Sequence, residues 1–252
     1  MPRVLWFTKL QPGVMPGAYE EFVRAVDYPA SGRVPSIVWY QSVRLEGPAM
    51  GEGSLPYDFL DMAEITEVEA YRQDLESHPA VKEVHGQFGR YVLSMGNLWG
   101  TPIELKPRRG RRSAGDSPAR RPTALAGRTG PRVVWYSRLQ PGVDREVYEQ
   151  WVRAVDYEGA EEIGSLTSYT VFRIQGPCIG ETVPFDYDYF EVAEVTGMQE
   201  YLHDLEGHPA ARRIVAEIGQ YVKSVGSAWG YPVAPQASAR RSAPTHTQEK
   251  SR

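Results

Sequence analysis

The sequence predicts an α+β protein built from two fused copies of one β-α-β-β-α-β unit. Three observations carry that expectation. The segment Arg3-Val-Leu-Trp-Phe-Thr-Lys-Leu-Gln-Pro-Gly-Val14 returns as Arg132-Val-Val-Trp-Tyr-Ser-Arg-Leu-Gln-Pro-Gly-Val143, and the likeness runs on for about 100 residues. Paired landmarks keep their order: Asp27-Tyr28 with Asp156-Tyr157, Gly47-Pro48 with Gly176-Pro177, His78-Pro79-Ala80 with His208-Pro209-Ala210, and Trp99-Gly100 with Trp229-Gly230. A period of about 130 residues is far longer than the roughly 20 to 50 of solenoid repeats, so each copy is expected to be a small domain.

Within the first copy, Val4-Leu-Trp-Phe-Thr8 is short, apolar and aromatic and ends at Gln11-Pro12-Gly13, which reads as a strand closed by a turn. Tyr19, Phe22, Val23 and Val26 follow at helical spacing, matched by Tyr148, Trp151, Val152 and Val155. Ile37 to Leu45 and Tyr57 to Ile65 give two further strands separated by a Gly/Pro-rich connection. Glu67 to Leu75 are helix formers, and His78-Pro79 ends that helix and starts another, because proline suits a first turn and keeps the preceding residue out of α geometry. The second helix is expected to run through Val81, Val84, Phe88 and Val92, and Leu98 to Leu105 supply the last strand. This is the ferredoxin-like order with one added helix. Such a sheet leaves one face bare, so two copies are expected to close an eight-stranded barrel with helices outside, within one chain or by exchange between chains.

The expected organisation is a first repeat over 1–105, a flexible basic linker over 106–130, a second repeat over 131–233 and a disordered tail over 234–252. Of 28 Lys/Arg and 32 Asp/Glu, the linker region and tail hold about 12 basic and 2 acidic residues, which leaves the repeats at a net charge near −14. A body that acidic repels phosphate backbones, so nucleic acid is not an expected partner. The run Lys106-Pro-Arg-Arg-Gly-Arg-Arg112 sits among Pro, Gly, Ser and Ala and reads as solvated linker. No signal peptide or membrane span is expected, and the lone Cys178 fits a reducing compartment, so a cytoplasmic location is expected.

The Leu-Gln-Pro-Gly turn, the His-Pro-Ala helix start, the closing Trp-Gly and the element order resemble the dimeric α+β barrel superfamily, and within it the RedY/HapK-like proteins of bacterial pigment and alkaloid pathways. The resemblance covers both copies. It implies antibiotic or alkaloid biosynthesis, and the duplicated members are similar to cyclases that close and aromatise a carbazole ring on an unstable, tryptophan-derived intermediate. The implied activity is a cyclase or aromatase working by acid–base chemistry on a small aromatic substrate received from an upstream enzyme, with a homodimer as a further option. A cofactor-free monooxygenase of the same superfamily and a non-catalytic carrier of a labile intermediate are the alternatives.

No metal spacing, Walker loop or dinucleotide fingerprint appears, so chemistry without metal or cofactor is expected, in a pocket lined by some of the 6 Trp and 15 Tyr. Alternation along the third strand puts Tyr57, Phe59, Asp61 and Ala63 on one face and Asp58, Leu60, Met62 and Glu64 on the other, repeated as Tyr187, Tyr189, Glu191, Ala193 against Asp188, Phe190, Val192, Glu194. Carboxylates on both faces of a covered strand call for a partner or a function. Glu64 and Glu194 are the expected general bases, with a salt bridge to Arg44 or Arg173 as the other reading. Trp39, Tyr40, Arg44 and Asp61, with Tyr169, Arg173, Tyr189 and Glu191, are the expected substrate-binding side chains. His203, which faces Gln73 in the other copy, is the third catalytic candidate because histidine titrates near neutrality. His85 faces Val215; His78 and His208 read as helix caps; Asp27 and Asp156 read as pocket mouth or helix end; and Trp6 and Trp135 read as core.

Overall fold

The computed structural model describes residues 1–50, 56–105, 130–180 and 187–235. The expected linker from 106 and tail from 236, together with Gly51-Glu-Gly53, lie outside the described residues. The first repeat runs β1 (Arg3–Leu10), α1 (Pro16–Phe22), a π-helical turn (Val23–Asp27), α2 (Tyr28–Ser31), β2 (Ile37–Gly47), β3 (Phe59–Ile65), α3 (Val68–Ser77), α4 (Pro79–Phe88) and β4 (Val92–Pro102). The second repeats it as β5 (Arg132–Leu139), α5 (Arg145–Trp151), a π-helical turn (Val152–Asp156), α6 (Tyr157–Glu162), β6 (Leu166–Gly176), β7 (Tyr189–Val195), α7 (Met198–Gly207), α8 (Pro209–Ile218) and β8 (Val222–Pro232).

Local chemistry sets the element ends. Gly13 and Gly142 take φ of 85° and 82° in the turns after β1 and β5, a region that disfavours side chains with a Cβ. His78 and His208 cap α4 and α8, each Nδ1 accepting from the backbone N–H two residues on at 3.2 Å. The expected helix through Val92 stops at Phe88 instead, and Val92 opens β4, six residues ahead of the expected start. The reason is tertiary: Val92 to Asn97 pair with Leu10 to Trp6 of β1, a contact that local periodicity does not encode.

The eight strands form a closed antiparallel barrel in the order β1-β3-β2-β8-β5-β7-β6-β4. Closure therefore occurs inside one chain, through two seams between the repeats, β2 with β8 and β4 with β6. The barrel interior is one apolar cluster drawn from both repeats, including Leu5, Phe7, Leu60 and Met62 against Val134, Tyr136, Phe190 and Val192. The opposite strand face packs against helices, with Phe59 in one such cluster and Tyr189 in another. The expected alternation of β3 and β7 is thus realised from Phe59 and Tyr189 onward. Tyr57 and Tyr187 depart from it, packing against the interior cluster, because they precede the strands.

The Trp-Gly landmarks and the tyrosines of the Asp-Tyr landmarks belong to the seams. A Cβ on Gly230 would lie 1.9 Å from the Arg44 carbonyl oxygen, and one on Gly100 would lie 2.7 Å from that of Arg173, so the strands cross only where a side chain is missing. Tyr28 donates its hydroxyl proton to the Val233 carbonyl at 2.5 Å and accepts from Ser42 N–H at 3.2 Å. Tyr157 does the same with the Ile103 carbonyl at 2.8 Å and Val171 N–H at 3.1 Å. Each tyrosine fastens the strand end of the opposite repeat.

Candidate active site

Each repeat holds a cavity between the outer face of its sheet and its helices. The first, about 420 Å³, is walled by Trp6, Tyr40 and Tyr71 and roofed by Ala80, Val84, His85 and Phe88 of α4. The second, about 340 Å³, has Trp135, Tyr169 and Tyr201 beneath Ala211, Ile214, Val215 and Ile218 of α8. Both volumes fall in the range of small-molecule sites. The walls are composite: Ile179 and Gly180 of the second repeat reach the first cavity, and Met50 of the first repeat reaches the second. Asn97 holds the first crossing loop, its Oδ1 accepting from Cys178 N–H at 2.6 Å and Ile179 N–H at 3.1 Å. Arg72 donates to the carbonyls of Cys178 at 2.5 Å and Pro177 at 3.2 Å. Ser227 Oγ holds the other loop through Ala49 and Met50 N–H, both at 3.1 Å.

The polar floor of the first cavity is a pair of buried carboxyl groups. Asp27 ends the π-helical turn, whose wider winding interrupts the α1–α2 helix where the side chain must enter the cavity, a common setting for π turns. Tyr40, from β2, donates to Asp27 Oδ2 at 2.6 Å, and Thr8 donates to Asp61 Oδ2 at 3.3 Å. Asp61 is 2% exposed and its Oδ1 is buried without a partner. Burial raises the Asp27 carboxyl to about 6. Burial, then the nearby Asp27 charge, raises Asp61 to about 7. Two acids poised near neutrality, one with a free oxygen, can exchange protons with a bound molecule.

The second cavity repeats the pair as Asp156 and Glu191, with a difference made by one methylene. The longer Glu191 lets Tyr169 Oη touch both acids, at 2.9 Å to Asp156 and 2.8 Å to Glu191. A phenol owns one proton and can donate it to only one of them. One carboxyl must therefore hold a proton, in line with burial raising both pKa values and the Glu191 charge raising Asp156 further.

Of the side chains expected at the site, Tyr40, Asp61, Tyr169 and Glu191 are brought together in the cavities. Glu64 and Glu194 are not. They pair instead with Arg3 at 3.5 Å and Arg132 at 3.3 Å on the inner strand face, and not with Arg44 or Arg173. Arg3 also stacks over Trp39 at 5.4 Å, so Trp39 too faces the barrel interior. Arg44 and Arg173 reach Glu20 and Glu149 on the preceding helices, and Tyr189 donates to Glu149 at 3.2 Å, which makes these three part of helix attachment. His203 is exposed on α7, outside the second cavity, because its place in the helical turn points it away from the sheet. His85 lines the first cavity.

One pair was missed as cavity residues and a second was only half read. Trp6 and Trp135 read as core, yet both line cavities, with each indole N–H donating to a tyrosine, Tyr71 at 3.1 Å and Tyr201 at 3.2 Å. Asp27 and Asp156, read as pocket mouth or helix end, do line the cavities, but as half of a buried acid pair that the sequence did not announce. The signal that could have singled them out is the identical Val-Arg-Ala-Val-Asp in both copies, an acid at the end of an otherwise apolar helix face. Cys178 is buried, and burial pushes its thiol to about 11, away from reactivity. Among the described residues no cluster of three or more His, Cys, Asp or Glu could hold a metal ion, and no helix is long and apolar enough to cross a membrane.

The family model described as REDY-like protein HapK matches residues 2–103 and 131–233, one match per repeat. Three solved structures share the fold over the whole barrel. A candidate monooxygenase from Lactobacillus acidophilus is 9% identical, with 92% of this chain and 91% of that chain covered and a TM-score of 0.55. A chlorite dismutase mutant from Candidatus Nitrospira defluvii is 13% identical, with 92% and 90% covered and a TM-score of 0.56. An anthrone oxidase-like protein is 11% identical, with 94% and 95% covered and a TM-score of 0.53. At these identities the likeness concerns the fold alone. No curated protein sequence matches the chain.

Proposed function

The chain belongs to the REDY-like HapK family, and on that premise we propose that it is an acid–base cyclase or aromatase acting on a flat aromatic or indole-derived intermediate in the first cavity. One observation carries the reading: Asp27 and Asp61 are buried beside each other with pKa values of about 6 and about 7 under an aromatic wall. Near neutral pH such a pair holds about one proton. The ionised member takes a proton from carbon as the ring closes or aromatises, and the protonated member gives its proton to the departing hydroxyl, which leaves as water. The pair ends with its proton exchanged and no net charge change. Tyr40 holds Asp27, Asp61 Oδ1 contacts the substrate, and the walls fold a reactive chain into a near-attack arrangement.

The test incubates purified protein with the product of the upstream pathway enzyme and follows the cyclised product and dissolved oxygen together. Product formation faster than without protein, with no oxygen consumed, is expected. Asp61→Asn should lower turnover by roughly 10²- to 10⁴-fold, the usual worth of a positioned acid or base. One oxygen consumed per product would replace this reading with cofactor-free monooxygenation. Full turnover in both Asp27→Asn and Asp61→Asn would place the chemistry in the substrate and leave the protein as a carrier.

A further inference from the structure

We infer that the second cavity is a separate binding site that holds a neutral, flat aromatic molecule bearing an N–H or O–H donor, without converting it. The inference rests on the acid–base reading of the first cavity, because it turns on how the two differ. The second is smaller, about 340 Å³ against about 420 Å³, but keeps the tryptophan wall and the tyrosine beneath it. Its surroundings are less polar: Val215 and Ile218 line it where His85 and Phe88 line the first, and Val171 stands where the first repeat has Ser42, which lies against Asp61.

Its acids are also engaged differently. In the first cavity Tyr40 donates to Asp27 at 2.6 Å, Thr8 donates to Asp61 Oδ2 at 3.3 Å, and Ser42 and Tyr40 lie close enough to Asp61 to ease its burial, while Asp61 Oδ1 holds no fixed hydrogen bond. In the second, Tyr169 lies between Asp156 and Glu191 and ties the single shared proton into one three-member bridge. Proton exchange with a ligand would have to break that bridge, whereas accepting one hydrogen bond from the ligand would not. The bridge carries one negative charge, so it favours an N–H or O–H donor and rejects a carboxylate. The surrounding aliphatic walls favour a molecule that is neutral, since a solvated cation would lose its hydration there. The crossing Met50 lines the wall nearest the first repeat, so the wall is complete only where both repeats close one barrel.

The probe is a fluorinated indole observed by fluorine NMR on the full chain. The wild type should give two bound resonances. Ile214→Trp, which fills the second cavity, should remove one and leave the other, whose survival also shows that the variant is folded. Val84→Trp should remove the remaining one and leave the first. Val215→Trp, at an exposed rim position, blocks the second cavity without touching the core and should reproduce Ile214→Trp. A single bound resonance in the wild type, lost in Val84→Trp, would overturn the second site while the acid–base reading stands. Two resonances together with unimpaired turnover in Asp61→Asn would instead overturn the acid–base reading, and with it the contrast drawn between the cavities.

Discussion

Replacing Asp61 by asparagine should make the protein more stable at alkaline pH while removing its activity. Burial and the neighbouring Asp27 raise the Asp61 carboxyl from an ordinary 3.8 to about 7. The folded protein thus holds this proton more tightly than the unfolded chain, and between those pH values the unfolded chain releases it first. The contribution of Asp61 to stability is complete below about pH 4, falls as pH rises, and is lost by about pH 7 to 8. A displacement of that size corresponds to about 4 kcal/mol at full ionisation. Asparagine has nearly the same shape and never ionises, so the variant escapes this loss. Any constant penalty from burying the amide applies at every pH and cancels in the comparison. Urea unfolding of wild type and variant at about pH 4 and about pH 8 measures the effect, the expected gain of the variant relative to wild type between the two being about 2 to 4 kcal/mol. A wild-type-to-variant difference that is the same at both pH values would mean that Asp61 ionises as freely in the folded protein as in the unfolded chain. The acid–base reading would lose its foundation.

Further consequences follow from the same geometry. The pH profile of kcat/KM should be a narrow bell with limbs near about 6 and about 7, and Asp61→Asn should remove one limb. Glu194→Gln removes the carboxylate charge beside Arg132, which is 3% exposed and still donates to the Gly130 carbonyl at 2.8 Å, so a loss of about 1 to 3 kcal/mol is expected in denaturant unfolding. Glu64→Gln should cost less, because the Arg3 and Glu64 side chains retain 15% and 13% exposure. Gly230→Ala forces a Cβ against the Arg44 carbonyl at the β2–β8 seam and should destabilise by about 1 to 3 kcal/mol, with Gly100→Ala milder at the other seam. Asn97→Ala removes the acceptor for Cys178 and Ile179 N–H and leaves Arg72 to hold the loop that carries Ile179 into the first cavity. Steady-state kinetics should show kcat/KM lower by on the order of 10-fold, equivalent to about 1.4 kcal/mol.

Much of the architecture was legible because it is written in local pattern and repeated twice. Apolar runs ending at Gln-Pro-Gly gave β1 and β5, and His-Pro gave the junctions of α3 with α4 and α7 with α8. Alternation correctly separated Asp61 and Glu191 from Glu64 and Glu194. What alternation cannot say is which face is the barrel interior and which carries the cavity. The glutamates expected as bases therefore proved to be ion-paired inside the barrel, and the acids expected only to bind substrate came to line the cavities. Asp27 and Asp61 are 34 positions apart in sequence, and nothing local announces that a π turn and a strand will bring their carboxyl groups under one roof. The same holds for His85 and His203: both mark differences between the copies, yet only helix rotation decides that the first reaches a cavity and the second reaches solvent.

The sequence by itself determined the repeat, the order of strands and helices, and the need for two sheets to hide their bare faces, because propensity, periodicity and the cost of exposed apolar surface act on short stretches of chain. The tertiary structure decided how the barrel closes, which residues share a cavity, and how each carboxyl titrates. Those outcomes depend on distances between residues far apart in the chain. A carboxyl ordinary in the unfolded chain acquires a pKa near 7 only when strand pairing buries it beside a second acid, an effect that the hydroxyls of Ser42, Thr8 and Tyr40 offset only in part.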